Sequence, residues 1–202
     1  MLQMIHDAGW PIWLLIATSV TGLALVVERS LSLRQSLILP RQLLEDVMDM
    51  VRQQRASQQA LERLAAQSPL GRVLAEVVSV RAKPAAYRRA AIESVGKEVA
   101  YELNRFIPAL STVAVVSPLL GLFGTVVGMI EIFASFTSAQ ADPGLLARGI
   151  SVALYNTGLG IIIAIPALIF HRYFRSRVNY YLHQIERDAS TLDRILGHAD
   201  EL

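Results

Sequence analysis

Among the polar side chains inside the long apolar runs of this sequence, Thr125 and the adjacent pair Asn156 and Thr157 stand beside glycines. At membrane depth such groups face protein or water, because hydrocarbon offers no hydrogen-bond partner. They can therefore line a wet path. None has a usable proton affinity, so a proton route built from them needs a titratable group from another chain. The nearest acid on the same run as Thr125 is Glu131, six residues or about 9 Å further along a helix. Several copies of Glu131 around an axis would form an anionic ring that concentrates cations at an outer mouth. The simpler reading makes it an interfacial acid that marks the end of the run. Threonine in a membrane helix usually bonds back to the preceding turn, so each polar residue taken singly also has a purely structural reading.

Glycines surround these residues. Gly121, Gly124 and Gly128 fall within about two turns, and Gly124 to Gly128 has the spacing that lets another helix approach closely. Gly158 and Gly160 flank Asn156 and Thr157 in the same way. Helix packing within one chain accounts for them without any functional role.

Other chemistries lack their residues. There is no cysteine, which removes disulfides, thiol catalysis and Cys-based metal sites. The four histidines, His6, His171, His183 and His198, have no ligand-like spacing and read as interfacial or solvated groups. Glu45, Asp46 and Asp49 have the spacing of a solvated helix face. No nucleophile and base pair with an orienting group, and there is no glycine-rich phosphate loop, so neither an enzyme nor a bound cofactor is expected.

The elements that must position Thr125, Asn156 and Thr157 are membrane helices. Of the 202 residues, 53% are hydrophobic, and they gather into uncharged runs at Trp10–Val27, Phe106–Ile130 and Gly149–Phe170. These span roughly 27, 37 and 33 Å as helices, against a hydrocarbon core of about 30 Å. No Lys or Arg precedes the first run, and it ends in Glu28-Arg29 rather than a small-residue cleavage site, so a retained anchor is expected. Trp10 and Trp13 suit a membrane boundary, and Glu28 and Arg29 are expected to mark the opposite one by snorkelling.

A pI near 9.1 invites a nucleic-acid reading, but the formal charge is only +2 and the basic residues cluster at membrane edges. Arg29, Arg34 and Arg41 follow the first run, Lys97 and Arg105 precede the second, and Arg172, Arg175 and Arg177 follow the third. By the positive-inside rule the N-terminus is periplasmic, and the middle segment and C-terminal tail are cytoplasmic. Nucleic acid is not an expected partner. The expected order is a periplasmic N-terminus (1–9), a first span (10–28), a cytoplasmic helical segment (29–105), a second span (106–137), a periplasmic loop (138–146), a third span (147–171) and a cytoplasmic C-terminal helix (172–202).

Within the middle segment, Pro40 suits a first helical turn before Leu43, Leu44, Val47, Met48 and Val51. Ser68-Pro69 reads as an N-cap followed by a first-turn proline. From Pro84 an apolar face runs on through Val99 and Leu103 without a breaker before Pro108, so one helix is expected to pass unbroken into the second span. Asp142-Pro143-Gly144 signals the turn between the second and third spans. Tyr181, Ile185, Leu192 and Ile195 trace an amphipathic helix in the tail. The fold class is thus an all-α membrane protein with three transmembrane helices and long helical extensions into the cytoplasm.

The run SPLLGLFGTVVGM, Ser117–Met129, resembles the second-span signature of the MotA/TolQ/ExbB proton-channel family. GISVALYNTGLGIIIAIPA, Gly149–Ala167, is similar to its third-span signature, and the three-span layout matches the family over essentially the whole chain. The resemblance implies a homopentameric ring in the bacterial inner membrane, around the single-span helices of an ExbD/TolR-like partner whose membrane aspartate handles the proton. In the ExbB case a TonB-like protein passes the work to outer-membrane import. Thr125 and Thr157 match the family's pore-lining threonines. Where the best-known members carry a third-span glutamate, this chain has Val152, so a proton path would rest on the partner's aspartate with Thr125, Thr157, Asn156 and water.

Two other readings remain open at this stage. A TolQ-like role in envelope maintenance shares every motif above. A passive membrane scaffold that merely holds partner helices is given some weight by Val152.

Overall fold

The computed structural model describes residues 10–135 and 143–199. The predicted periplasmic segment 1–9, with His6, and Asp142 of the predicted turn lie outside them. Among the described residues the regular structure is entirely helical: α1 (Pro11–Ser32), α2 (Gln35–Ile38), α3 (Leu43–Arg52), α4 (Gln58–Gln67), α5 (Pro69–Ser79), α6 (Ala85–Asn104), α7 (Ile107–Ser135) and α8 (Pro143–Ala199). Three of these helices, α1, α7 and α8, contain stretches long and apolar enough to cross a membrane. The chain divides into two compact units, one formed by residues 1–29 and 106–173, the other by 30–105 and 174–202.

In the first unit α1, α7 and the first half of α8 pack together. Only 22 to 28% of each apolar stretch is buried within the chain, so most of its surface is left for lipid or for other polypeptides. Ile12 and Leu15 of α1, and Ile107, Leu110 and Val113 of α7, are buried. A Cβ on Gly22 would stand 3.1 Å from Val113 Cγ1, which sets the approach of α1 to α7. The Trp10 ring meets Phe123 edge-on at 5.7 Å.

Arg29 does not snorkel to water as expected. It is 3% exposed, donates to both carboxylate oxygens of Glu28 at 2.6 and 2.9 Å, and lies 5.3 Å from the centre of the Phe106 ring. A guanidinium that finds a carboxylate fork and an aromatic face has no need of solvent.

The second unit has a conventional core. Leu70, Val73, Leu74, Val77 and Val78 of α5 are buried, as are Val99 and Leu103 of α6. The Ser68 hydroxyl caps α5 by accepting from the Gly71 amide at 3.0 Å, with Pro69 in the first turn. Pro40 stays outside α3, whose N-cap is Gln42 in a left-handed conformation, so the turn before the helix takes the proline instead. The buried stripe of the tail runs Phe174, Val178, Tyr181, Ile185, Ala189, Leu192 and Leu196, whereas Ile195 is exposed.

The unbroken helix expected across residues 84–130 is interrupted. α6 ends at Asn104, Arg105 is extended (ψ 137°) and Phe106 is left-handed (φ 63°). Pro108 explains the position. Its ring would clash with the Asn104 carbonyl in a continuous helix, and it has no N–H to bond there. Restarting at Ile107 moves the proline into a first turn, where no N–H is needed.

Candidate functional site

Small residues dictate how α7 meets α8. A Cβ built on Gly121 would lie 2.8 Å from the Asn156 carbonyl oxygen and 3.0 Å from Thr157 Cα, so the two backbones touch there. On Gly160 it would lie 2.5 Å from the Ser117 carbonyl oxygen and 3.2 Å from Gly121 Cα. On Gly124 it would meet the Asn156 side chain at 2.9 to 3.1 Å. At Gly121 and Gly160 no side chain larger than hydrogen fits without moving a helix, whereas at Gly124 the Asn156 side chain would have to give way. The facing stripe of α8, Ala153, Asn156, Gly160, Ala164 and Ala167, recurs at spacings of three and four residues and is buried throughout.

Asn156 is thereby held in the seam, 1% exposed, with its amide against Gly124. Thr157 is half-buried on the adjoining face of α8. Thr125, next to Gly124, is also half-buried, and its hydroxyl donates to the Leu122 carbonyl at 2.6 Å. Thr18, Thr21, Thr112 and Thr191 bond back in the same manner. Thr157 differs: among the described residues its hydroxyl makes no hydrogen bond. Its donor and acceptor capacity is thus left for water or for another chain.

The remaining candidates lie around this seam. A Cβ on Gly128 would make only an ordinary 3.9 Å contact with Ala153 Cβ, and one on Gly158 would meet nothing within 4 Å. Glu131 is exposed, one turn from the end of α7. Val152 is half-buried beside Ala153, and within α8 the stretch from Gly149 to Phe170 carries no Asp, Glu, His, Lys or Arg. Among the described residues no three His, Asp or Glu converge in a way that could hold a metal ion.

Two participants escaped the reading of isolated residues. Ser117, fully buried, presents its backbone carbonyl to Gly160 while its hydroxyl donates to the Val113 carbonyl at 2.6 Å. A Cβ on Gly149 would overlap the Ile132 side chain. The spacing Ser117, Gly121, Gly124 was the available signal for the first; nothing local signalled the second.

Fold and seam define a multi-pass helical membrane protein with a small-residue interface between its second and third spans. Residues 35–187 match the MotA/TolQ/ExbB proton channel family, and the chain belongs to that family. It is 31% identical over 173 residues to the biopolymer transport protein ExbB-like 3 of Synechocystis, covering 84% of this chain and 81% of that one. It is 42% identical over 74 residues to the biopolymer transport protein exbB1 of Vibrio cholerae, covering 36% of this chain and 32% of the relative. The Tol-Pal system protein TolQ of Haemophilus influenzae is 41% identical over 87 residues, covering 43% of this chain and 38% of its own length. The family consists of transport and channel subunits rather than catalysts.

Proposed function

We propose that the chain is the channel-forming subunit of an ExbB-like inner-membrane motor, in which the proton motive force drives work on behalf of outer-membrane import. Several copies, five by family analogy, surround the single-span helices of an ExbD/TolR-like partner, and a TonB-like protein carries the work onward. The N-terminus is periplasmic, and the 30–105 segment and the tail are cytoplasmic, following the distribution of Arg and Lys.

The observation that carries this reading is the Thr157 hydroxyl, half-buried at an apolar seam and without a hydrogen bond among the described residues. Beside it the third span holds Val152 and no carboxylate, so the titratable group belongs to the partner helix, and Thr125, Asn156 and Thr157 contribute hydrogen bonds to the water that serves it. Glu131 gathers cations at the outer mouth.

The similarity to the Haemophilus TolQ protein supports a second reading, the same device serving an envelope-maintenance system. A passive scaffold is separated from both by proton uptake in proteoliposomes containing the chain and its cognate single-span partner. Flux in the wild type that collapses in Thr157→Val, with the complex intact, is the expected result. Equal flux in the two would remove Thr157 from the path, and no flux in either would favour the scaffold. Unchanged flux in Glu131→Gln would remove the proposed cation-gathering ring.

A further inference from the structure

His171 is the first ionisable residue of α8 after the apolar stretch that ends at Phe170. The residue is half-buried, yet its Nδ1 is buried and has no hydrogen-bond partner among the described residues. Fourteen residues separate it from Thr157, so at about 100° per residue the two lie within about 40° of one another around the helix, roughly 21 Å apart along it. Between them the same buried stripe continues through Gly160, Ala164 and Ala167. Pairing of Gly124 with Asn156 and of Ser117 with Gly160 sets an antiparallel register. Continued along both helices, it carries His171 to the level of Ile107 and Leu110, which are 2% and 0% exposed.

We infer that His171 is the residue through which protons pass between the interior of this membrane unit and the water at the Arg172 end of the third span. The inference rests on the proton-channel reading above and supplies what that reading lacks on this chain, a titratable group at the Arg172 end of the path. Imidazole exchanges protons near neutral pH and has two nitrogens. Here one of them faces inward, while the rest of the half-exposed ring reaches the surface. A proton delivered by water to Nδ1 makes the imidazolium, loss of the Nε2 proton to outside water leaves the neutral ring in its other tautomer, and rotation of the ring or water-borne exchange restores the start. One proton enters and one leaves.

The charged groups at this level are Glu28 and Arg29 of α1, which pair with each other, and Arg172 and Arg175 on α8. Arg105 lies two residues before the start of α7, while α7 itself has no ionisable acid or base before Glu131. None of these arginines exchanges protons at neutral pH, and the Glu28 carboxylate is engaged by Arg29. The wide gap to Thr157 is bridged by water and by the partner's carboxylate, so His171 serves the inner end of the path and not its middle.

The test is proton flux between about pH 5 and 8 in proteoliposomes of the full complex, comparing wild type with His171→Gln, with and without added imidazole. Flux at least about tenfold lower in the variant, a flattened pH profile and recovery with imidazole are expected. Wild-type flux with an unchanged variant profile overturns this inference and leaves the channel reading standing. No wild-type flux from an intact complex overturns both. If the variant does not assemble, NMR of ring-labelled His171 in the wild-type complex decides: a ring whose protonation follows the flux profile supports the relay, and one that keeps a single protonation state across the range overturns it.

Discussion

The two units of this chain solve the packing problem with different residues. In the membrane unit the α7 and α8 backbones touch at Gly121 and Gly160, and the buried stripe of α8 is glycine, alanine and one asparagine. In the other unit the buried residues are mainly Leu, Val and Ile, with Phe174 and Tyr181. There, Ser57 and Ser68 cap helices, Arg72 pairs with Glu102 at 2.8 Å, Arg88 pairs with Asp193 at 2.9 Å, and the Tyr181 hydroxyl donates to the Leu33 carbonyl at 2.9 Å. The contrast follows from the solvent. Water drives large apolar side chains together, whereas lipid is as apolar as leucine and rewards close backbone approach instead.

Enlarging a seam glycine tests the contrast most severely. Gly160→Leu is expected to prevent recovery of folded protein or to cost more than about 3 kcal/mol, because the Ser117 carbonyl cannot withdraw without moving α7. Gly158→Ala, two residues away, should be nearly silent, since nothing faces it. Comparing yield and thermal aggregation in detergent decides the matter, and equal damage from the two substitutions would mean that the seam is not glycine-limited.

A smaller loss is expected from Tyr181→Phe. It leaves the Leu33 carbonyl without its buried donor at a cost of about 1 to 2 kcal/mol, read from the denaturant midpoint of the full chain in micelles. An unchanged midpoint would show that this bond contributes no net stability.

The smallest effect concerns pH. Burial pushes the Asp188 carboxyl above its ordinary range, only partly opposed by Arg187. The native state therefore holds this proton more tightly than the unfolded chain does. Its contribution to stability is present below the ordinary carboxylate range and is lost as pH rises through the raised value. Asp188→Asn should accordingly raise the unfolding midpoint slightly at neutral pH, with the gain shrinking on acidification. A midpoint lowered at neutral pH would show that the carboxylate is held by a favourable contact.

Legibility in the sequence followed the range of the interaction that decided each feature. The three spans were readable because hydrophobic length is a local property, and the family could be recognised because its signatures are contiguous runs. Ser68-Pro69 was legible because a cap needs only its own turn. The break at Arg105 and Phe106 was missed although its cause, Pro108, was in plain view, because proline acts on the turn before it. Ile195 was read onto the buried face of the tail, where Leu196 stands instead, since several faces of that helix carry apolar residues and only packing selects among them.

For the site, composition and order alone placed Thr125, Asn156 and Thr157 inside long apolar runs and left the third run without a carboxylate. Tertiary structure decided which glycines take part in the close approach, that Arg29 would be buried against Glu28 and Phe106, that the Thr157 hydroxyl would make no bond among the described residues, and that His171 would turn Nδ1 inward. Each of those outcomes depends on which residue of a distant helix stands opposite. Helical period assigns a residue to a face, but only the packed register of one helix against another determines what that face meets.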